Sequence, residues 1–219
     1  MPDKGQLVAE GAYTHHHGDA TTGHSTWQFS KLAHGGLLLD SRATFTDPPA
    51  EYHFTYHVTQ HWSPTLVTLR AEAGGKTVTS EQRAAGAQWS AHIEPRGEAA
   101  RESAIEFTPK HEVGFASPLF TTVTLVRLNL QIGQSREVDA VRIDPQTLEP
   151  RAVKQNYACV AEEKITVPAG GFSARRYTLT TDGGAGEDSF WVDRHGIVLL
   201  YQSANGDATK LTRYRRIER

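Results

Sequence analysis

EYHFTYHVTQ, residues 51–60, decides the fold. Tyr52, Phe54, Tyr56 and Val58 take every second position, and Glu51, His53, Thr55, His57 and Thr59 take the others. Successive side chains of a strand point to opposite faces, so this period of two predicts a β-strand with an apolar and a polar side. Residues 65–71 repeat the pattern, setting Val67, Leu69 and Ala71 against Leu66, Thr68 and Arg70. Residues 37–45 set Leu37, Leu39, Ala43 and Phe45 against Asp40, Arg42 and Thr44. Turn-rich breaks separate these runs: His34-Gly35-Gly36, Asp47-Pro48-Pro49, Ser63-Pro64, Ala73-Gly74-Gly75 and Pro95-Arg96-Gly97. Short strands at this spacing predict an antiparallel meander, curved into a barrel or folded as a sandwich.

The second half reads similarly. Residues 138–143, 152–161, 175–180, 189–193, 197–203 and 209–215 have strand patterns. Turn signals fall at Asp144-Pro145, at Pro168-Ala169-Gly170, at Asp182-Gly183-Gly184, at Arg194-His195-Gly196 and at Asn205-Gly206-Asp207. Asn205-Gly206 predicts a type I′ hairpin turn, in which both central residues need positive φ. Within residues 111–133, Leu119, Phe120, Val123 and Val126 suit a helical stripe, whereas Val123, Leu125, Leu128 and Leu130 suit strands; one short helix is expected there. No repeat, low-complexity tract or composition shift divides the chain. The predicted fold class is therefore mainly β: a single-domain antiparallel curved sheet or half-barrel over residues 1–219, with one short helix near the middle.

Composition narrows the function. The 219 residues carry 23 basic and 25 acidic side chains, a net charge of −2, with 38% hydrophobic residues. Basic residues cluster only at Arg213, Arg215, Arg216 and Arg219, so nucleic acid is not an expected partner. No run of 18 apolar residues exists, and no membrane span is expected. The opening Met1-Pro2-Asp3-Lys4-Gly5 lacks a secretion signal's apolar stretch, which gives a cytoplasmic expectation. Cys159 is alone, which excludes an internal disulfide and a cysteine-based zinc knuckle.

Val167-Pro168-Ala169-Gly170-Gly171-Phe172, then Ala174-Arg175-Arg176-Tyr177, Phe190-Trp191-Val192-Asp193 and Gly196-Ile197-Val198-Leu199-Leu200-Tyr201 form a distinctive succession. It resembles uncharacterised bacterial antiparallel β half-barrel families. Tyr13, Gly18 and Gly23 before Trp27 are similar to their opening hairpin. The resemblance touches about a third of the chain and implies a curved half-barrel, similar to the lipoprotein-carrier architecture, with a hydrophobic cleft. It makes Phe172, Trp191 and Tyr201 core residues and transfers no catalytic residue. Many such relatives carry secretion signals, where this chain departs from them.

Eleven histidines suggest chemistry. On a strand, His15 and His17 share a face with Tyr13, their Cα atoms about 6.6 Å apart, a spacing at which two imidazoles can share a metal; no Glu or Asp stands in a recognised ligand spacing with them, which favours a solvated face beside a turn. His53, His57 and His61 span about 26 Å on a strand and cannot meet at one metal; His57 is the one expected to be held rigidly. Asp40, Arg42, His57, Thr68 and Arg70 lie opposite the apolar faces of their strands. In a sandwich those faces meet water; in a barrel they can line a lumen. There a His serves as acid or base and an Arg as an anion anchor. Gly-x-Ser-x-Gly is absent, Cys159 reads as a buried apolar residue, and Gly183-Gly184-Ala185-Gly186 has neither a following Lys nor a helix, so no cofactor is expected.

The sequence thus favours a small-molecule-binding β-barrel acting as a cofactor-independent acid/base enzyme, a lyase or isomerase. Its expected partner is a small apolar or aromatic molecule. The candidate catalytic residues are Tyr13, His15, His17, Arg42 and His57, with Trp27, Arg70 and Tyr177 binding substrate. A carrier of a lipid or hydrophobic metabolite is the first alternative, and a metal-dependent enzyme using His15 and His17 the second. A homodimer is compatible with either.

Overall fold

The computed structural model describes residues 5–182 and 186–217. The Asp182-Gly183-Gly184 turn, the Gly183-Gly184-Ala185 stretch, Arg219 and residues 1–4 of the opening thus fall wholly or partly outside the described residues. The first half holds β1 (Gln6–His17), β2 (Ala20–Lys31), β3 (Leu37–Thr46), β4 (Pro49–Val58), β5 (Pro64–Ala73), β6 (Lys76–Ala85), β7 (Gln88–Pro95), β8 (Arg101–Glu106) and β9 (Glu112–Gly114). The helix α1 (Pro118–Leu128) follows. The second half holds β10 (Ser135–Ile143), β11 (Pro150–Val167), β12 (Gly170–Thr181), β13 (Glu187–Val192), β14 (Val198–Gln202) and β15 (Asp207–Arg216). All fifteen strands form one sheet, in the order β8-β7-β6-β5-β4-β3-β2-β1-β15-β14-β13-β12-β11-β10-β9. It is an open, curved sheet rather than a closed barrel. Pairing is antiparallel except between β9 and β10.

The sheet wraps around α1. Phe120 of the helix stacks on Tyr56 at 4.4 Å between ring centroids and meets Phe54 at 5.0 Å. The apolar faces read from residues 37–45, 51–60 and 65–71 therefore look inward: Leu39, Phe54, Tyr56, Val67 and Leu69 are at most 3% exposed. Their polar faces look outward, where the Thr55 and Thr68 hydroxyls hydrogen-bond at 2.6 Å and His53 meets Asp40 at 3.4 Å. The lumen-lining arrangement of Arg42, His57 and Arg70 is thus not the one adopted. Burying the aliphatic and aromatic faces removes far more apolar area from water than burying the charged faces would, and leaves the charges hydrated.

Local chemistry sets the helix ends. Ser117 Oγ accepts the Leu119 N–H, Pro118 opens the first turn, and Asn129 ends the helix in the left-handed conformation with its N–H on Leu125 O. The sheet's two edges are fastened across the opening. Gln82 Nε2 on β6 donates to Leu148 O at 2.7 Å, Trp89 Nε1 donates to Gln82 Oε1 at 2.9 Å, and Arg101 pairs with Glu149. Buried Glu112 of β9 accepts from Thr124 Oγ1 and from Arg127 Nε, tying the helix to the sheet. The Asn205-Gly206 turn forms with a correction: only Gly206 has positive φ, at 88°. Ser203 Oγ accepts the N–H groups of Asn205 and Asp207, which holds a three-residue loop with a left-handed Gly instead of type I′.

Among the described residues no helix is long and apolar enough to cross a membrane. Cys159 is buried and free, as expected. Of the residues read as core from the resemblance, Phe172 and Trp191 pack against the core while half-buried. Tyr201 also packs half-buried against a core cluster, stacking on Phe190 at 4.9 Å, while it lines a cavity.

Candidate functional site

The meander places its hairpins at two ends, and α1 runs between them with a cavity at each. One cavity, of about 670 Å³, opens where the β1–β2, β3–β4 and β14–β15 hairpins turn. It is walled by the N-terminal half of α1 and by β10 to β13. A row of directly opposed residues crosses the sheet there: Tyr201, Thr209, His15, Gly23 and Phe45. Gly23 is needed in that row, because a Cβ there would stand 2.9 Å from Phe45 Cδ1 and 2.5 Å from Thr44 O. Without one, the Phe45 ring packs 4.9 Å from the His15 ring.

His15 is 8% exposed and spans two hydroxyls, with Nδ1 3.0 Å from Thr209 Oγ1 and Nε2 2.9 Å from Ser25 Oγ. Burial, assisted by His24 and His16, lowers its pKa to about 4, so the ring is neutral at pH 7. Tyr157 donates to Gln155 Oε1 at 3.2 Å, and Tyr201 donates to Asp188 Oδ2 at 3.2 Å. Burial pushes both phenols up, helped by Glu112 for Tyr157 and by Asp188 for Tyr201. These groups give and accept hydrogen bonds at neutral pH without exchanging protons. Phe115, Phe120, Leu179 and Phe190 supply apolar wall, and Arg142 adds a guanidinium. The rim is wet: His17 bonds Asp207 Oδ1 at 2.8 Å with both side chains more than half exposed.

The other cavity, of about 790 Å³, lies beside the helix C-terminus. It is walled by Leu125, Val126, Phe172, Tyr177, Val192 and Tyr214 and by the polar Glu162, Arg175, Asp193, Arg194 and His195. A ligand site is expected where an apolar, aromatic wall meets a few convergent polar groups; both cavities have such walls, and the His15 cavity has more aromatic side chains, Phe45, Phe115, Phe120, Tyr157, Phe190 and Tyr201.

Of the sequence candidates, the structure brings together His15 and His17, the first inside the cavity and the second on its rim. Tyr13 is 2% exposed in the core, its hydroxyl donating to Val198 O at 2.9 Å, and burial raises its pKa well above the ordinary value. Trp27 packs beside it at 6.0 Å. Arg42, His57 and Arg70 are on the convex face. Tyr177 lines the second cavity with Arg175, whereas Arg176 turns outward to Glu163 at 3.0 Å. Among the described residues no group of three His, Cys, Asp or Glu side chains stands close enough to hold a metal. Sequence reasoning missed Arg142, Gln155, Tyr157 and Asp188. Arg142 left a weak signal, a cation in step with Val138 and Ala140, as is the exposed Arg136.

Residues 16–205 match the model of a protein family described as "Putative glycolipid-binding". A search of curated proteins gives no match. Among solved structures, a β-barrel-like protein of the domain of unknown function DUF1849 from Brucella abortus superposes with a TM-score of 0.67 at 10% identity, covering 98% of this chain and 99% of that one. A DUF1089 family protein from Pseudomonas aeruginosa superposes with a TM-score of 0.54 at 19% identity, over 83% of this chain and 90% of that one. Both likenesses are of fold, and with the family match they bear out the resemblance to uncharacterised bacterial β-barrel families.

Proposed function

The chain belongs to that family, and on this premise we propose that it binds an amphiphile of the glycolipid class in the His15 cavity, without chemical conversion. The observation that carries the reading is the cavity's gradient. Phe120, Tyr157, Leu179 and Phe190 are at most 6% exposed, whereas His17 and Asp207 at the mouth are mostly exposed. An apolar chain is favoured among the first group, and a hydroxylated headgroup near Tyr201, Asp188, Gln155 and the rim. A cavity of about 670 Å³ lies within the range, roughly 300–1,000 Å³, of sites that enclose most of a small ligand. The carrier alternative therefore moves ahead of the acid/base enzyme. Both His15 nitrogens are occupied and its ring is neutral, while Tyr13, Arg42 and His57 stand outside the cavity.

The test is protein purified without detergent, extracted with organic solvent and examined by mass spectrometry. A stoichiometric glycosylated lipid supports the reading, as does a rise in melting temperature when octyl β-D-glucopyranoside is added to extracted protein. Turnover of the bound lipid would reinstate the enzyme.

A further inference from the structure

Arg142 stands one residue before the end of β10, on the face of Val138 and Ala140, and reaches the His15 cavity half-buried. Its backbone pairs within the sheet, opposite Arg151 and Gly114, but its guanidinium makes no hydrogen bond or ion pair among the described residues. Its surroundings explain why. Asp188, in the same wall, is already engaged, accepting from Tyr201 through Oδ2 and from the Ala204 N–H through Oδ1. Gln155 Oε1 is taken by the Tyr157 hydroxyl. The two phenols that feel its charge, Tyr157 and Tyr201, are held neutral. The neighbouring interior cation is treated differently: Arg127 is spent on Glu112 and on the carbonyls of Pro109, Lys110 and His111.

A guanidinium drawn partly out of water whose donors find no acceptor costs free energy, even with the Asp188 carboxylate in the same wall. Its planar fork of donors matches phosphate, sulfate or carboxylate oxygens. Resting on the amphiphile reading, we propose that the ligand's headgroup is anionic and that Arg142 is the residue that binds its charged oxygens. The site belongs to an amphiphile rather than to a free anion, because the wall beyond Arg142 is Tyr157, Leu179 and Phe190, which offers an anion nothing.

Octyl β-D-glucopyranoside and its 6-phosphate differ only in the phosphate group, with glucose 6-phosphate and inorganic phosphate as tailless controls. Calorimetric titration of the full chain should show the phosphorylated glycoside binding at least about tenfold more tightly than the neutral one, the net worth of a charge-assisted bond. Arg142→Gln should bring the two to equal affinity by weakening only the phosphorylated ligand, and Arg142→Lys should keep part of the preference. Because Arg142 has no partner to lose, neither variant should melt earlier. Equal affinities on the unaltered chain, or a preference that survives Arg142→Gln, would overturn the proposal while leaving the binding function in place. Inorganic phosphate binding as tightly as the phosphorylated glycoside would overturn it in favour of a free anion. Failure of both glycosides to bind would remove the amphiphile reading with it. The comparison on the unaltered chain needs no variant, so a misfolded Arg142→Gln would not protect the idea.

Discussion

His15 makes folding stability depend on pH, and the size of the effect follows from its burial. The folded ring has a pKa of about 4 against an ordinary 6.5. Between those values the unfolded chain binds the proton and the folded chain refuses it, so stability rises with pH there. The contribution is complete above about pH 6.5 and is lost as pH falls toward about 4. A gap of about 2.5, at 1.36 kcal/mol for each unit, gives a ceiling of about 3 kcal/mol. The ring is 8% exposed, so solvent screening trims that figure little. Ser25 and Thr209 leave the sign intact, because each hydroxyl can accept from a protonated ring while burial remains the larger cost. Urea unfolding of the native chain and His15→Gln, compared between about pH 7 and about pH 4.5, isolates the term, since the lowered pKa values of His16 and His57 act in both proteins. Because pH 4.5 still lies above the folded pKa, the native chain should lose about 2 kcal/mol more than the variant over that range. Parallel stability curves, or an NMR titration midpoint for His15 at or above about 6, would refute the reasoning.

Three further outcomes follow from the packing. Phe120→Ala removes a ring 1% exposed from between Tyr56, Phe54 and Phe115 and should cost about 3–5 kcal/mol in chemical denaturation. Glu112→Ala leaves Arg127 and the Thr124 hydroxyl facing an empty, buried position and should cost about 3–5 kcal/mol, with Glu112→Gln recovering part of the melting temperature. His57→Ala, on the convex face, should leave glycoside affinity within about twofold of the native chain, since surface substitutions away from a site act within roughly 0.5 kcal/mol. A tenfold loss would place His57 at the ligand after all.

The meander was legible because its code is local. In β3, β4 and β5 each side chain's parity fixes its face, so Leu39, Tyr56 and Val67 could be placed on the apolar faces of their strands without knowing their neighbours. The helix was only half legible for the opposite reason. Leu119, Phe120, Thr122, Val123, Thr124 and Leu125 are all buried, because the sheet surrounds α1, and a helix covered on most sides shows no clean stripe. The candidate site fared worse. His15 was found because it shares a face with Tyr13, but Tyr13 proved to belong to the core. Arg142, Gln155, Tyr157 and Asp188 come from three strands, and only their pairing brings them together.

What the sequence by itself determined is therefore the class of fold, the strand faces and most turns, all properties of residues a few positions apart. It also ruled out a disulfide within these 219 residues, since Cys159 has no second cysteine to pair with. The tertiary structure alone decided which face is concave, because that depends on where α1 lies and on how β1 and β15, from opposite ends of the chain, pair. It also decided that His15 is neutral and that Arg142 is unpaired. Charge state and pairing are set by burial and by neighbours distant in sequence, and no short stretch of this chain carries that information.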